Sequence, residues 1–202
     1  MRGSMVDALP PHVRGSGPRD RYATWKRDRH ARSMVNRYCV PPPPHRWAAF
    51  GRSIVVPPAR IENADCISIG DGVVVLENVW MSVVRHFPDI TPRVVIEDMV
   101  RMGRCCQLSI AEELIIERGA IIGDFVQIGD TFHPYDAEGD RLLVLTRPEP
   151  VRICKGAILG SHVIVLPGVT VGPGAYVDHH SVVNSDVPAG TVVAGNPARV
   201  VS

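Results

Sequence analysis

The sequence predicts an all-β solenoid of parallel coils with six-residue sides, on three observations. From Ile153 the chain reads in blocks of six: ICKGAI, LGSHVI, VLPGVT, VGPGAY, VDHHSV and VNSDVP. The first place of each block is Ile, Leu or Val, and the fifth is Ala, Val or Ser. Upstream, Ile69, Val75 and Met81, then Ile96, Met102 and Leu108, then Ile116, Ile122 and Ile128 keep the first-place rule. A period of six is neither the 3.6 of a helix nor the alternation of a long strand. It fits a short strand and a turn, three of which close a triangular coil of about eighteen residues that stacks on the next. A β-sandwich of short strands has no reason to keep a fixed period.

The bulk numbers agree. A chain of 202 residues suggests one domain, and 45% hydrophobic content against 5% aromatic makes its core aliphatic. The 18 Gly and 18 Pro recur at fixed places, as turn residues do. Gly70, Gly103, Gly123, Gly129, Gly160 and Gly172 take the second place, near the corners. Charge is uneven. Residues 1–60 hold twelve Lys/Arg against three acids, a net of +9, and the remainder carries a net of −8. No apolar run is long enough to span a bilayer, and MRGSMVDALPPH lacks the apolar stretch of a signal peptide. The five cysteines, Cys39, Cys66, Cys105, Cys106 and Cys154, are odd in number and lack metal-ligand spacing. They are expected to be free thiols, which places the chain in a reducing cytoplasm.

In chain order, residues 1–18 are rich in Pro, Gly and Ser and are expected to be disordered. Residues 19–50 form a basic arm. Within it RDRYATWKRDRHARSMVNRY predicts a helix with Tyr22, Trp25 and Met34 as anchors, ended by CVPPPPHRW. The arm is expected to cap an open end of the solenoid. A second reading sends it to an anionic membrane surface or a phosphorylated glycolipid. Nucleic acid is suggested by charge alone, with no motif. Residues 51–202 form the β-helix.

Two insertions interrupt the coils, at 82–95 (containing RHFPDITP) and at 131–152 (containing TFHPYDAEGDRLLVLTRPEP). The eight-residue step from Leu108 to Ile116 adds two residues more. Long loops on a rigid scaffold often carry function. His133 stands where the second loop leaves the coil. A neutral imidazole there can take a proton from an attacking group and later return it. Asp130, the preferred candidate, or Asp136 could hold its tautomer; the alternative is that neither does and each simply caps a turn, as Asp often does in short loops. His86, in the first loop, is the second candidate for acid–base work or acceptor contact. Tyr135 and Asp136 flank His133 as acceptor contacts.

The blocks, with LGSHVIVLPGVTVGPG at 159–174 and DVPAGTVVAGNPARVV at 186–201, resemble the hexapeptide-repeat acyltransferases. Within them the chain is similar to the sugar O-acetyltransferases that act on galactosides, maltose and lipopolysaccharide. The likeness covers residues 50 to 201. It implies a left-handed parallel β-helix, a homotrimer, and acetyl-CoA or another acyl-CoA bound in a groove between subunits. It implies acyl transfer to a hydroxyl of a sugar or glycosylated product, with His133 as general base in a His-Pro, Asp-x-x-His setting. Many members carry a second His where Thr131 stands. Gly160 and Ser161 match the site at which a backbone amide faces the thioester carbonyl, and Arg199 matches an arginine near the anionic nucleotide end. Asp178, His179 and His180 replace the small residues usual along the donor groove, and Ser185 stands where a lysine is common.

His162, His179 and His180 also raise the zinc site of the gamma carbonic anhydrases. The His-x4-His pair of that family is absent here, so no metal is expected. The other class of function is a non-catalytic scaffold built on the same solenoid.

Overall fold

The computed structural model describes residues 47–134 and 145–201. The arm through residue 46, Tyr135 and Asp136 lie outside the described residues. Among the described residues twenty short strands make three sheets. The first holds β1 (Ala49–Phe50), β4 (Ile67–Ile69), β7 (Arg93–Ile96), β10 (Glu113–Ile116), β13 (Val151–Ile153) and β16 (Thr170–Val171). The second holds β2 (Ile54–Val55), β5 (Val74–Val75), β8 (Arg101–Met102), β11 (Ile121–Ile122), β14 (Ile158–Leu159), β17 (Tyr176–Val177), β19 (Val192–Gly195) and β20 (Ala198–Val200). The third holds β3 (Arg60–Glu62), β6 (Trp80–Val83), β9 (Gln107–Ile110), β12 (Gln127–Gly129), β15 (Ile164–Val165) and β18 (Val182–Val183).

From β1 to β18 successive strands belong to successive sheets, and each pairs in parallel with its counterpart one coil away; β19 then adds to β17 in the second sheet, with only an isolated Val171–Val187 bridge between, and β20 folds back antiparallel on β19. The six-residue rule explains the burial. Every first-place residue from Ile69 to Val183 is no more than 2% exposed. Fifth-place Ala157, Val163, Val169, Ala175 and Ser181 are buried beside them. Ile, Leu, Val or Met at the first place and these Ala, Val and Ser residues at the fifth fill a narrow triangular interior. The coil begins at Ala49, two residues before the expected boundary, because β1 pairs with β4 and Trp47 joins the core. Among the described residues no helix is long and apolar enough to cross a membrane.

The departures from the repeat share one edge, where the third sheet hands on to the first. There lie the 3-10 turn Ala64–Cys66, the loop 84–92, the added residues 111 and 112, and the segments 130–134 and 145–150 at the root of the second insertion. β6 and β7 reach further than the sequence suggests, so the first loop is shorter than 82–95. The other two edges are tight turns.

Candidate active site

Asp130 is fully buried at the root of the second loop. Its Oδ1 accepts the N–H of Ala111 at 2.8 Å, and its Oδ2 accepts those of Glu112 and Glu113 at 2.7 and 3.0 Å. The two-residue insertion at 111–112 falls between β9 and β10, past the end of the β9–β12 ladder, and there the N–H groups of Ala111, Glu112 and Glu113 turn to Asp130. A buried N–H must find an acceptor, and Asp130 supplies it. Both oxygens of the Asp130 carboxylate are thus engaged by amides of the neighbouring coil. Burial pushes the Asp130 carboxyl above its ordinary range, against the downward pull of the three amides.

The root of the loop is closed like a zip. Thr131 Oγ1 donates to the Thr146 carbonyl at 2.8 Å, and Thr146 N–H donates to the Phe132 carbonyl at 2.9 Å. Glu149 N–H donates to the Asp130 carbonyl at 2.8 Å. His133, half-buried, is the first residue past this closure.

The loop carrying His86 is tied on both sides. Arg85 reaches down to Asn63 and Asp65. Asp89 meets Arg147 at 2.6 and 3.2 Å, which joins the first loop to the second. Arg147 also lies 5.6 Å over the Phe87 ring, and His86 stands edge-on to Phe87 at 4.9 Å. Beside this clamp a cavity of about 270 Å³ is lined by Asp89, Thr91, Arg93, Glu112, Glu113 and Pro150 among others. A larger groove, about 380 Å³, lies over the first sheet and contains neither histidine.

The residues matched to the donor site sit on another edge, where the second sheet hands on to the third. Gly160 must be glycine, because a Cβ there would stand 2.8 Å from the His179 nitrogen. Ser161 N–H is taken up by His179 Nδ1 at 2.9 Å. Arg199 pairs with Ala194 in the closing hairpin and is exposed, one of its donors resting on the Ala198 carbonyl at 2.8 Å. Phe125, His162 and His180 stack face to face along this edge at 4.7 and 4.6 Å, close to the spacing of the coils. All three have positive φ. His133 and His86 thus share one edge, Gly160, Ser161 and Arg199 share another, and a full side of the third sheet separates the two groups.

Among the described residues no group of three or more His, Cys, Asp or Glu side chains comes together as a metal site. The four described cysteines are free. Burial pushes the Cys106 thiol up to about 11, so it is no ready nucleophile.

No protein-family model matches the chain. Over 52 residues it is 50% identical to a 2,3,4,5-tetrahydropyridine-2,6-dicarboxylate N-acetyltransferase of Staphylococcus aureus, covering 26% of this chain and 22% of that one. Over 96 residues it is 46% identical to nodulation protein L of Rhizobium meliloti, covering 48% of this chain and 51% of that one. The chain therefore spans about half or less of the length of these relatives. Among solved structures, the N-acyltransferase AntD of Bacillus cereus, in complex with dTDP and 3-hydroxybutyryl-CoA, superposes with a TM-score of 0.68. Its identity is 20%, over 78% of this chain and 84% of that one. A hexapeptide-repeat acetyltransferase of Vibrio cholerae complexed with acetyl coenzyme A gives 0.54 at 22% identity, over 92% and 90%. These neighbours are hexapeptide-repeat acyltransferases, and the chain has their fold, the left-handed parallel β-helix.

Proposed function

We propose that the protein is an acyl-CoA-dependent O-acyltransferase that transfers acetyl from acetyl-CoA to a hydroxyl of a sugar or glycosylated product. The observation that carries the reading is the convergence of both interruptions on one edge. Each brings a histidine, and Asp89 and Arg147 lock them together. His133 takes the proton of the acceptor hydroxyl as its oxygen attacks the thioester carbonyl. The tetrahedral oxyanion is met by the Ser161 N–H. Collapse expels the CoA thiolate, which receives the proton from His133. No acyl-enzyme is needed.

The two halves of this machinery lie a side of the prism apart, roughly 15 Å at about 3.3 Å per residue. They meet only if His133 of one copy faces the donor edge of another, which favours a closed homotrimer. Phe132, exposed beside His133, and Phe125, exposed on the donor edge, provide apolar surface for that contact. Arg199, on the same edge as Ser161, suits the phosphates of CoA. The polar cavity beside the clamp suits the hydroxyls of a sugar, and Tyr135 and Asp136 are further acceptor contacts.

A second reading, transfer to an amine, is favoured by the named activities of the Staphylococcus aureus relative and of AntD. The test is release of CoA from acetyl-CoA in the presence of paired acceptors, each sugar with a hydroxyl or an amino group at the same carbon. Turnover with the hydroxyl member supports the O-acyl reading, and turnover with the amine alone replaces it. Consumption of no acyl-CoA returns the protein to the scaffold class.

A further inference from the structure

Along its tight edges this solenoid hands the N–H of a corner residue to a side chain of a neighbouring coil. At most of these corners the acceptor is a carboxylate: Asp71 for Arg52, Asp124 for Arg104, Glu117 for Lys155, each at 2.8 Å. At Ser161 it is the imidazole nitrogen of His179. Arg104 and Ser161 occupy the same place on the same edge, so the contrast is one of acceptor chemistry alone. A ring nitrogen that accepts carries no proton, so His179 is neutral here, with its hydrogen on Nε2. A carboxylate holds an N–H roughly twice as strongly as a neutral acceptor does. It would also set a negative charge against any oxyanion formed at that amide.

The surroundings let this acceptor leave. The His179 side chain is exposed, while its backbone is fixed by its own N–H on Asp178 Oδ1 at 2.8 Å and by close contact with Gly160. The stack of His162 and His180 beside it does not include the His179 ring. We propose that His179 is a positioning residue: it holds the Ser161 N–H until the donor binds and yields it to the acyl carbonyl of the incoming donor. This rests on the acyl-CoA reading above.

The test compares the full-length wild type, His179→Ala and His179→Asp by calorimetric titration with acetyl-CoA and, separately, with CoA. CoA has no acyl carbonyl. The readout is therefore the ratio of the two affinities within each variant, which a general loss of fold or groove would not move. In His179→Ala no internal bond is broken on binding, so acetyl-CoA should gain about two- to tenfold over CoA relative to wild type. In His179→Asp that preference should shrink, and kcat should fall because the amide stays occupied. An unchanged ratio in both variants, with the wild type binding both ligands, overturns the proposal and leaves the acyl-CoA reading standing. A wild type that binds neither ligand overturns that reading and this proposal together.

Discussion

Asp89 and Arg147, 58 residues apart in sequence, face one another at 2.6 and 3.2 Å and join the two loops that leave the solenoid. Both side chains are more than half exposed. An exposed pair of this kind adds little to global stability, so its effect should be on the loops. Arg147 holds the Asp89 carboxyl below its ordinary range. The link is therefore present above that range and is lost as pH falls through the lowered value.

Arg147→Ala should raise the acceptor KM severalfold with a small change in kcat and an unchanged melting temperature. Hydrogen exchange in residues 84–92 should quicken in the variant at neutral pH. In the wild type it should quicken only in acid below the ordinary carboxylate range, or at high salt. Unchanged exchange in the variant would show that the loop is held from below, by Arg85, and not by the clamp.

Asp130→Asn should destabilise the fold. An asparagine offers one acceptor oxygen to three buried amides and turns an NH₂ group toward the rest. Leaving a buried donor unsatisfied costs about 1–3 kcal/mol, read as a lower denaturant midpoint at constant m-value. A variant as stable as wild type would mean that the 111–113 amides find water.

Gly160→Ala should also destabilise, because its Cβ would sit 2.8 and 3.0 Å from backbone atoms of His179, which cannot swing aside. Overpacking of this kind costs about 1–3 kcal/mol, and the donor KM should rise as the corner opens. A wild-type melting temperature would show that the coils can separate locally.

The coils were legible in the sequence because a solenoid repeats one local decision. First-place Leu108 and Ile116 are buried, and the eight-residue step between them appears as the insertion at 111–112. The edge contacts were legible in principle. Ser161 and His179 share the third place of blocks eighteen residues apart, and Phe125, His162 and His180 share the fourth, so stacking follows from the register. The three amides that Asp130 accepts were not legible from its Asp-x-x-His spacing, which says nothing about which way a carboxylate turns. The nearby insertion was the better guide. The Asp89–Arg147 pair had no signal, since both residues lie in loops outside the period.

Arg199→Ala should raise the donor KM severalfold and leave kcat at saturating acetyl-CoA near wild type. The effect should shrink at high salt, as expected of an exposed charge on phosphate. A KM equal to wild type at low salt would place the CoA phosphates elsewhere.

The central claim is that the second interruption exists to present a base, and His133→Ala tests it most directly. Steady-state kcat with acetyl-CoA and a turned-over acceptor should fall by about two to four orders of magnitude. Melting temperature, oligomeric state and CoA affinity should hold, because His133 lies outside the buried first and fifth places. His86→Ala, the control, should change the acceptor KM more than kcat. A His133→Ala enzyme that keeps most of its rate, beside a His86→Ala enzyme that does not, would contradict the account and move the base to the first loop.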